Sequence, residues 1–153
     1  MPKVKYTTTK GLVQSAGNTF DMDGNFLTNQ IVRTVVMSGA GATKTLVAGD
    51  LPCVVILSGS DASTLTLPSS PAAGSVVTAI AATAIAHVVA GGNTQLLGSI
   101  WDNTNGTTLA RNDVANKTSI TLANPKAGDQ LQFRYSGANW VVWGWLNDTP
   151  TLA

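Results

Sequence analysis

Glutamate is absent from this chain; all eight acidic residues are aspartate. There is one cysteine and one histidine, and only 11% of the residues are charged. That is less than half the usual share of about 25%. Each shortage excludes something. A lone Cys53 forbids an intrachain disulfide. A lone His87 cannot supply a histidine-rich metal site or an ordinary catalytic triad. Nine basic against eight acidic residues leave a net charge of +1. A general nucleic-acid binder would show a basic excess, so no nucleic-acid partner is expected. Long apolar runs are also missing. The longest, Val76–Ala90, is too short for a membrane helix and is broken by Thr78, Thr83 and His87. No membrane partner is expected. The opening MPKVKYTTTKG carries basic residues but no apolar core of a signal peptide, so synthesis in a cytoplasm is expected.

What remains is rich in threonine, serine, asparagine, glycine and valine. Glutamate and lysine favour helices, while threonine and valine favour strands. The balance predicts an all-β protein: a small antiparallel sandwich or barrel with an extended N-terminal arm. The 153 residues suit one domain that buries about 68–70% of its unfolded surface. Low charge leaves little repulsion between copies of the chain.

Residues 1–30 form the expected arm. They are polar, carry Lys3, Lys5 and Lys10, and scatter their apolar residues without a sustained period. Such a segment needs a partner to order it. Its piece KVKYT alternates and could join another sheet edge as a strand. Lys3, Val4, Lys5, Tyr6 and Lys10 are therefore the candidate contacts of the arm. Residues 31–153 form the compact β domain. IVRTVVM, TKTLVAGD, CVVIL, STLTLP, TQLLGSIW, TTLAR, TSITL, DQLQFRY and NWVVWGW read as strands between Gly- and Asn/Asp-rich turns. Cys53, within an apolar run, reads as a small buried hydrophobe. In GSVVTAIAATAIAHVVAGG the polar residues fall near helical spacing, but β-branched residues and flanking glycines favour two short strands.

One segment echoes another. TLTLPSSPAAGSVVTAI (64–80) resembles SITLANPKAGDQLQFRY (119–135), with Pro71 matching Pro125 and Gly74 matching Gly128. The shared plan is a strand, a proline-set crossover and a second strand. Two copies are too few for a solenoid, but they fit a duplicated β unit.

Candidate chemistry is sparse. The aspartates could form a hydrolytic pair, but Asp23, Asp50, Asp61, Asp102, Asp113, Asp129 and Asp148 adjoin glycine, serine or asparagine. Such carboxylates usually bond to local turn amides. Asp21-Met22-Asp23-Gly24-Asn25 begins like a calcium loop but lacks the closing glutamate. Phosphate- and dinucleotide-binding glycine motifs are missing. The sequons at Asn105, Asn116 and Asn147 are chance matches in an Asn/Thr-rich chain. His87 reads as a core histidine with a satisfied ring. No enzyme, metal or cofactor is expected.

Three of the four tryptophans crowd into LQFRYSGANWVVWGWLND. A two-residue loop with Gly137 at its first central position suits a type II′ hairpin. Tyr135 then faces Trp140. Leu131, Phe133, Tyr135, Trp140 and Val142 share one face; Gln132, Arg134, Val141, Trp143 and Trp145 share the other. A three-residue loop would exchange the faces of one strand. In either register an indole lies off the core face and needs a cover, most readily another protein chain. Arg134, Trp143 and Trp145 are the candidate interface residues, with Arg134 placed to stack on Trp143. With the two-residue loop, replacing Trp143 or Trp145 by alanine should weaken assembly more than folding.

The stretch Ser63–Trp145 resembles β-rich virion proteins of tailed bacteriophages. The likeness lies in TLTLP, in AG followed by an alternating strand, in SITL, and in LQFRYSGANWVV. That ending is similar to a hairpin of phage fibre and capsid-surface modules. A polar arm before a compact β domain further resembles capsid decoration, or cement, proteins. The resemblance implies a homotrimer on the virion surface that binds the major capsid protein and stabilises the shell. Its alternative is a tail- or head-fibre module that recognises host surface glycan.

Overall fold

A computed structural model describes residues 4–7, 11–14, 20–22, 25–27, 32–104 and 109–153. For the four short stretches the description concerns the backbone. The chain divides into two compact units, Met1–Ile31 and Val32–Ala153. In the first unit, β1 (Val4–Thr7) pairs antiparallel with β2 (Gly11–Gln14), and β3 (Phe20–Met22) with β4 (Asn25–Leu27). The KVKYT strand, expected to seek a foreign sheet edge, thus has a partner in its own hairpin. The ladder has four cross-strand pairs, from Val4 opposite Gln14 to Thr7 opposite Gly11.

The second unit is built of two sheets. Its strands are β5 (Arg33–Met37), β6 (Thr43–Thr45), β7 (Cys53–Leu57), β8 (Ser63–Thr66), β9 (Val76–Ala81), β10 (His87–Ala90), β11 (Leu96–Asp102), β12 (Ala110–Lys117), β13 (Ser119–Leu122), β14 (Gln130–Tyr135), β15 (Trp140–Leu146) and β16 (Thr151–Leu152). One sheet has the order β12-β11-β15-β14-β9-β7-β5, and the other β16-β13-β10-β8-β6. The all-β reading holds. The sheets are mixed, however, where antiparallel ones were expected, and five of the strand pairings run parallel. The reason lies in the connections. From β5 to β11 the chain changes sheet after every strand, so successive strands within one sheet point the same way. Residues 75–90 are two strands, as their β-branched content predicts, because each strand serves a different sheet.

The alternating patterns place one side of each sheet in a common core. Leu65, Leu67, Val55, Leu57, Val77, Val89, Ile120, Leu131, Phe133 and Trp140 are almost completely buried. Cys53 is buried with them, and desolvation pushes its thiol up to about 11.

The internal echo is a structural repeat. The first copy is β8, a crossover and β9; the second is β13, a crossover and β14. Both prolines, Pro71 and Pro125, are buried. β9 and β14 pair antiparallel, with Thr78 directly opposite its own equivalent, Gln132. The two copies therefore face each other across a local two-fold axis. Their turns are closed reciprocally. Gly74 N–H donates to Tyr135 O at 2.8 Å, and Gly128 N–H donates to Ala81 O at 2.9 Å. Tyr135 N–H returns a bond to Ser75 O, and Ala81 N–H returns one to Asp129 O. Part of the plan recurs a third time, in Ala48-Gly49-Asp50 between β6 and β7. Asp50 accepts from Val47 N–H at 3.0 Å, as Asp129 accepts from Lys126 N–H at 3.1 Å.

Candidate functional site

The last hairpin fixes which indoles reach solvent. Tyr135 pairs with Trp140, and Ser136 N–H donates to Asn139 O at 2.9 Å, which makes Gly137-Ala138 a two-residue loop. Gly137 has φ +101°, a backbone region that favours glycine at this turn position. Trp140 is buried; its indole N–H donates to Pro68 O at 2.9 Å, and its ring lies 5.3 Å from that of Tyr135. Trp143 and Trp145 point the opposite way and are 43% and 55% exposed.

Strand pairing extends this outer face across the whole seven-stranded sheet. One row runs Val36–Ile56–Ile80–Gln130–Trp145–Trp101–Arg111. A second runs Thr34–Val54–Thr78–Gln132–Trp143–Ser99–Asp113. Charge enters both rows only at the β12 edge, where Arg111 and Asp113 pair at 2.8 Å. An ion pair this exposed contributes little. The rows change character along their length. Over β5, β7 and β9 they are mainly aliphatic, and over β14, β15 and β11 they are indole and amide.

The indole half contains a cleft. Trp143 and Trp145 stand on either side, with Gly144, Gln130, Gln132 and Thr78 lining the space between. The cleft encloses about 180 Å³. Trp101 stacks against Trp145 with centroids 6.1 Å apart and planes 21° from parallel, so one wall is backed by a second ring. Beyond Trp143 lies a wider hollow of about 550 Å³ lined by Arg134, Tyr135, Ser136, Val141, Ala73 and Gly74. Arg134 faces Val141 across the ladder, and the ring stacked on this face is Trp101, on Trp145. Arg134 and Trp143, expected to stack, line that hollow together. Trp101 was not picked out from the sequence, because its partner strand β15 lies some forty residues further on.

Of the arm candidates, Lys3 and Lys10 lie outside the described residues. Val4, Lys5 and Tyr6 fall on β1, of which only the backbone is described. Asp23 and Asn105 also lie outside the described residues.

Away from the cleft, His87, Asp102 and Asp129 are held by hydrogen bonds within the fold. His87 is buried between two hydroxyls: Nδ1 lies 2.7 Å from Ser63 Oγ and Nε2 lies 3.3 Å from Thr83 Oγ1. Thr83 donates to Gly59 O, so its oxygen accepts from Nε2–H, and Nδ1 accepts from Ser63. Burial pushes the His87 pKa below its ordinary value. The Ser63–His87 pair has a nucleophile–base distance, but both residues are sealed in the core. Asp102 accepts from Asn112 and from Thr104, and these bonds, Asn112 first, hold its carboxyl below the usual range. Asp113, expected in a turn, lies inside β12 opposite Ser99; the Asn112 bond to Asp102 helps carry the strand through that position. Asp129 holds Asn147 through both its backbone and side-chain amides. Among the described residues, no three His, Cys, Asp or Glu side chains gather where a metal could sit. The arrangement is suited to adsorbing a flat, uncharged surface. Compared with known proteins, the sequence matches no protein family and no curated protein.

Proposed function

We propose that this chain is a non-catalytic virion protein of a tailed phage, a decoration protein that binds the major capsid protein on the outer shell and stabilises it. The observation that carries the reading is the uncharged aliphatic half of the outer sheet face, which ends, among the described residues, at edge strand β5. Val36 is 59% exposed on edge strand β5, beside Ile56. Val32, 51% exposed, follows directly on the N-terminal unit in the chain. Apolar surface beside a strand edge that has no partner among the described residues suits attachment to another protein. Lys3, Val4, Lys5, Tyr6 and Lys10 supply a second grip, and trimers multiply both contacts. Burying the aliphatic strip between neighbouring capsid subunits would tie them together against the pressure of packaged DNA.

Adding purified protein back to expanded shells that lack it tests this reading. Saturable binding with a fixed stoichiometry, lost in Val36→Asp without a fall in melting temperature, is expected. A protein that stays monomeric and leaves expanded shells bare would overturn it. The cleft between Trp143 and Trp145 favours a second reading, a fibre-type module that recognises host surface glycan.

A further inference from the structure

The indole half of the sheet supports a more specific statement, which deepens that second reading. We infer that the cleft between Trp143 and Trp145 binds a neutral pyranose unit of a polysaccharide. The walls are two indoles carried by residues two apart on one strand, hence about 6.8 Å apart along it. That spacing suits a flat apolar face such as the C–H side of a sugar ring. The lining adds two primary amides and a hydroxyl, from Gln130, Gln132 and Thr78. Each amide offers two donors and an acceptor, the set that adjacent ring hydroxyls require. No charged residue lines the cleft. A carboxylated or sulfated sugar would find no counter-charge there, while a neutral one leaves nothing unpaired.

The site is prepared in advance. Gln130 faces Trp145 and Gln132 faces Trp143 in the β14–β15 ladder, so each amide is set beside an indole by backbone pairing. Trp101 holds Trp145 from behind. Small reorganisation on binding favours affinity. A single-stranded nucleic acid would also stack on indoles, but it needs a basic track along its backbone. The two rows carry no cation from β5 to β11. The site also lies clear of the attachment edge: β15 stands four strands from β5, roughly 19 Å away. Capsid binding at one end and sugar binding at the other can therefore fail separately.

The test is tryptophan fluorescence titrated with maltoheptaose, chitohexaose, mannan and the purified surface polysaccharide of the host. The same set would be run on Trp143→Ala, Trp145→Ala and Gln132→Ala. Saturable quenching by a neutral member is expected, weakened about tenfold or more in each variant while the melting temperature stays within a few degrees. Gln132→Glu keeps the size of the side chain and adds charge, and it should weaken neutral-sugar binding as well. Three outcomes would overturn the inference: no neutral member binding at millimolar concentration, binding unchanged in both tryptophan variants, or binding confined to acidic glycans and lost in Arg134→Ala. Loss of shell binding with sugar binding intact would count against the decoration reading alone.

Discussion

Trp140 and Trp145 stand five residues apart on β15 but on opposite faces, and truncating them should have very different costs. Trp140 is 0% exposed, and its N–H satisfies the Pro68 carbonyl, which belongs to a buried residue. Trp140→Ala removes the largest fully buried side chain of the core and should cost about 3–5 kcal/mol. For a unit of this size, roughly 3–5 °C of melting temperature is lost per kcal/mol, so a fall of about 10–20 °C is expected. Trp140→Phe keeps an aromatic ring against Tyr135 but strands the Pro68 carbonyl, at about 1–3 kcal/mol. Trp143→Ala should lie within about 0.5 kcal/mol of the parent, as for other surface changes. Trp145→Ala also loses the stack with Trp101 and should cost about 0.5–1.5 kcal/mol. Thermal denaturation followed by far-ultraviolet circular dichroism would rank the four variants. If Trp143→Ala or Trp145→Ala melted as early as Trp140→Ala, the indole half of the outer face would be covered within the protein itself, and the sugar-binding inference would lose its surface.

Two further predictions concern the interior. Gly98 sits at φ +136°, and an added Cβ would overlap the Val142 carbonyl across the β11–β15 ladder. Gly98→Ala should cost about 2–5 kcal/mol. Gly128→Ala, with φ +99° and open space around it, should cost only about 1 kcal/mol; equal losses in urea denaturation would contradict this contrast. His87 is held neutral, with its pKa lowered from 6.5 by burial. As the pH falls below 6.5 the unfolded chain takes up a proton before the folded one does. Stability should therefore fall from pH 6.5 down to the folded pKa and be pH-independent in His87 above that range. Urea midpoints across pH 4–8 should show this slope, and His87→Gln should remove it; a slope unchanged in the variant would refute the assignment.

Much of the fold could be read from local pattern, and the failures have a common cause. One glycine and one alternation reduce the hairpin to two registers, and the bond from Ser136 N–H to Asn139 O selects the two-residue loop, which assigns every side chain of β14 and β15 to a face. The repeat was visible because Pro71 and Pro125, and Gly74 and Gly128, occupy matching places in matching turns. Parallel pairing was not visible. β11 lies beside β15 although the whole of β12 to β14 separates them in the chain, and nothing in QLLGSIW names that partner. The row that joins Val36 to Trp101 was hidden for the same reason. Sequence put Trp145 on the outer face in one of the two registers, but it named none of its neighbours Trp101, Ile80 and Ile56. Asp113 misled because Asn-Asp has turn chemistry, whereas here the Asn112 amide reaches Asp102 and the strand continues.

The order of strands in the larger sheet sets a condition on synthesis. β14 and β15 lie between β9 and β11, so the middle of the sheet is made of residues that leave the ribosome after both of its flanks. A nascent chain that has reached β12 holds both flanks of that sheet with nothing to bridge them. The N-terminal flank, β5, β7 and β9, can stack as it emerges, but β11 and β12 must wait. A premature stop anywhere before Leu146 would therefore leave an open seam in the centre of the structure and expose the apolar sides of β9 and β11 to proteases.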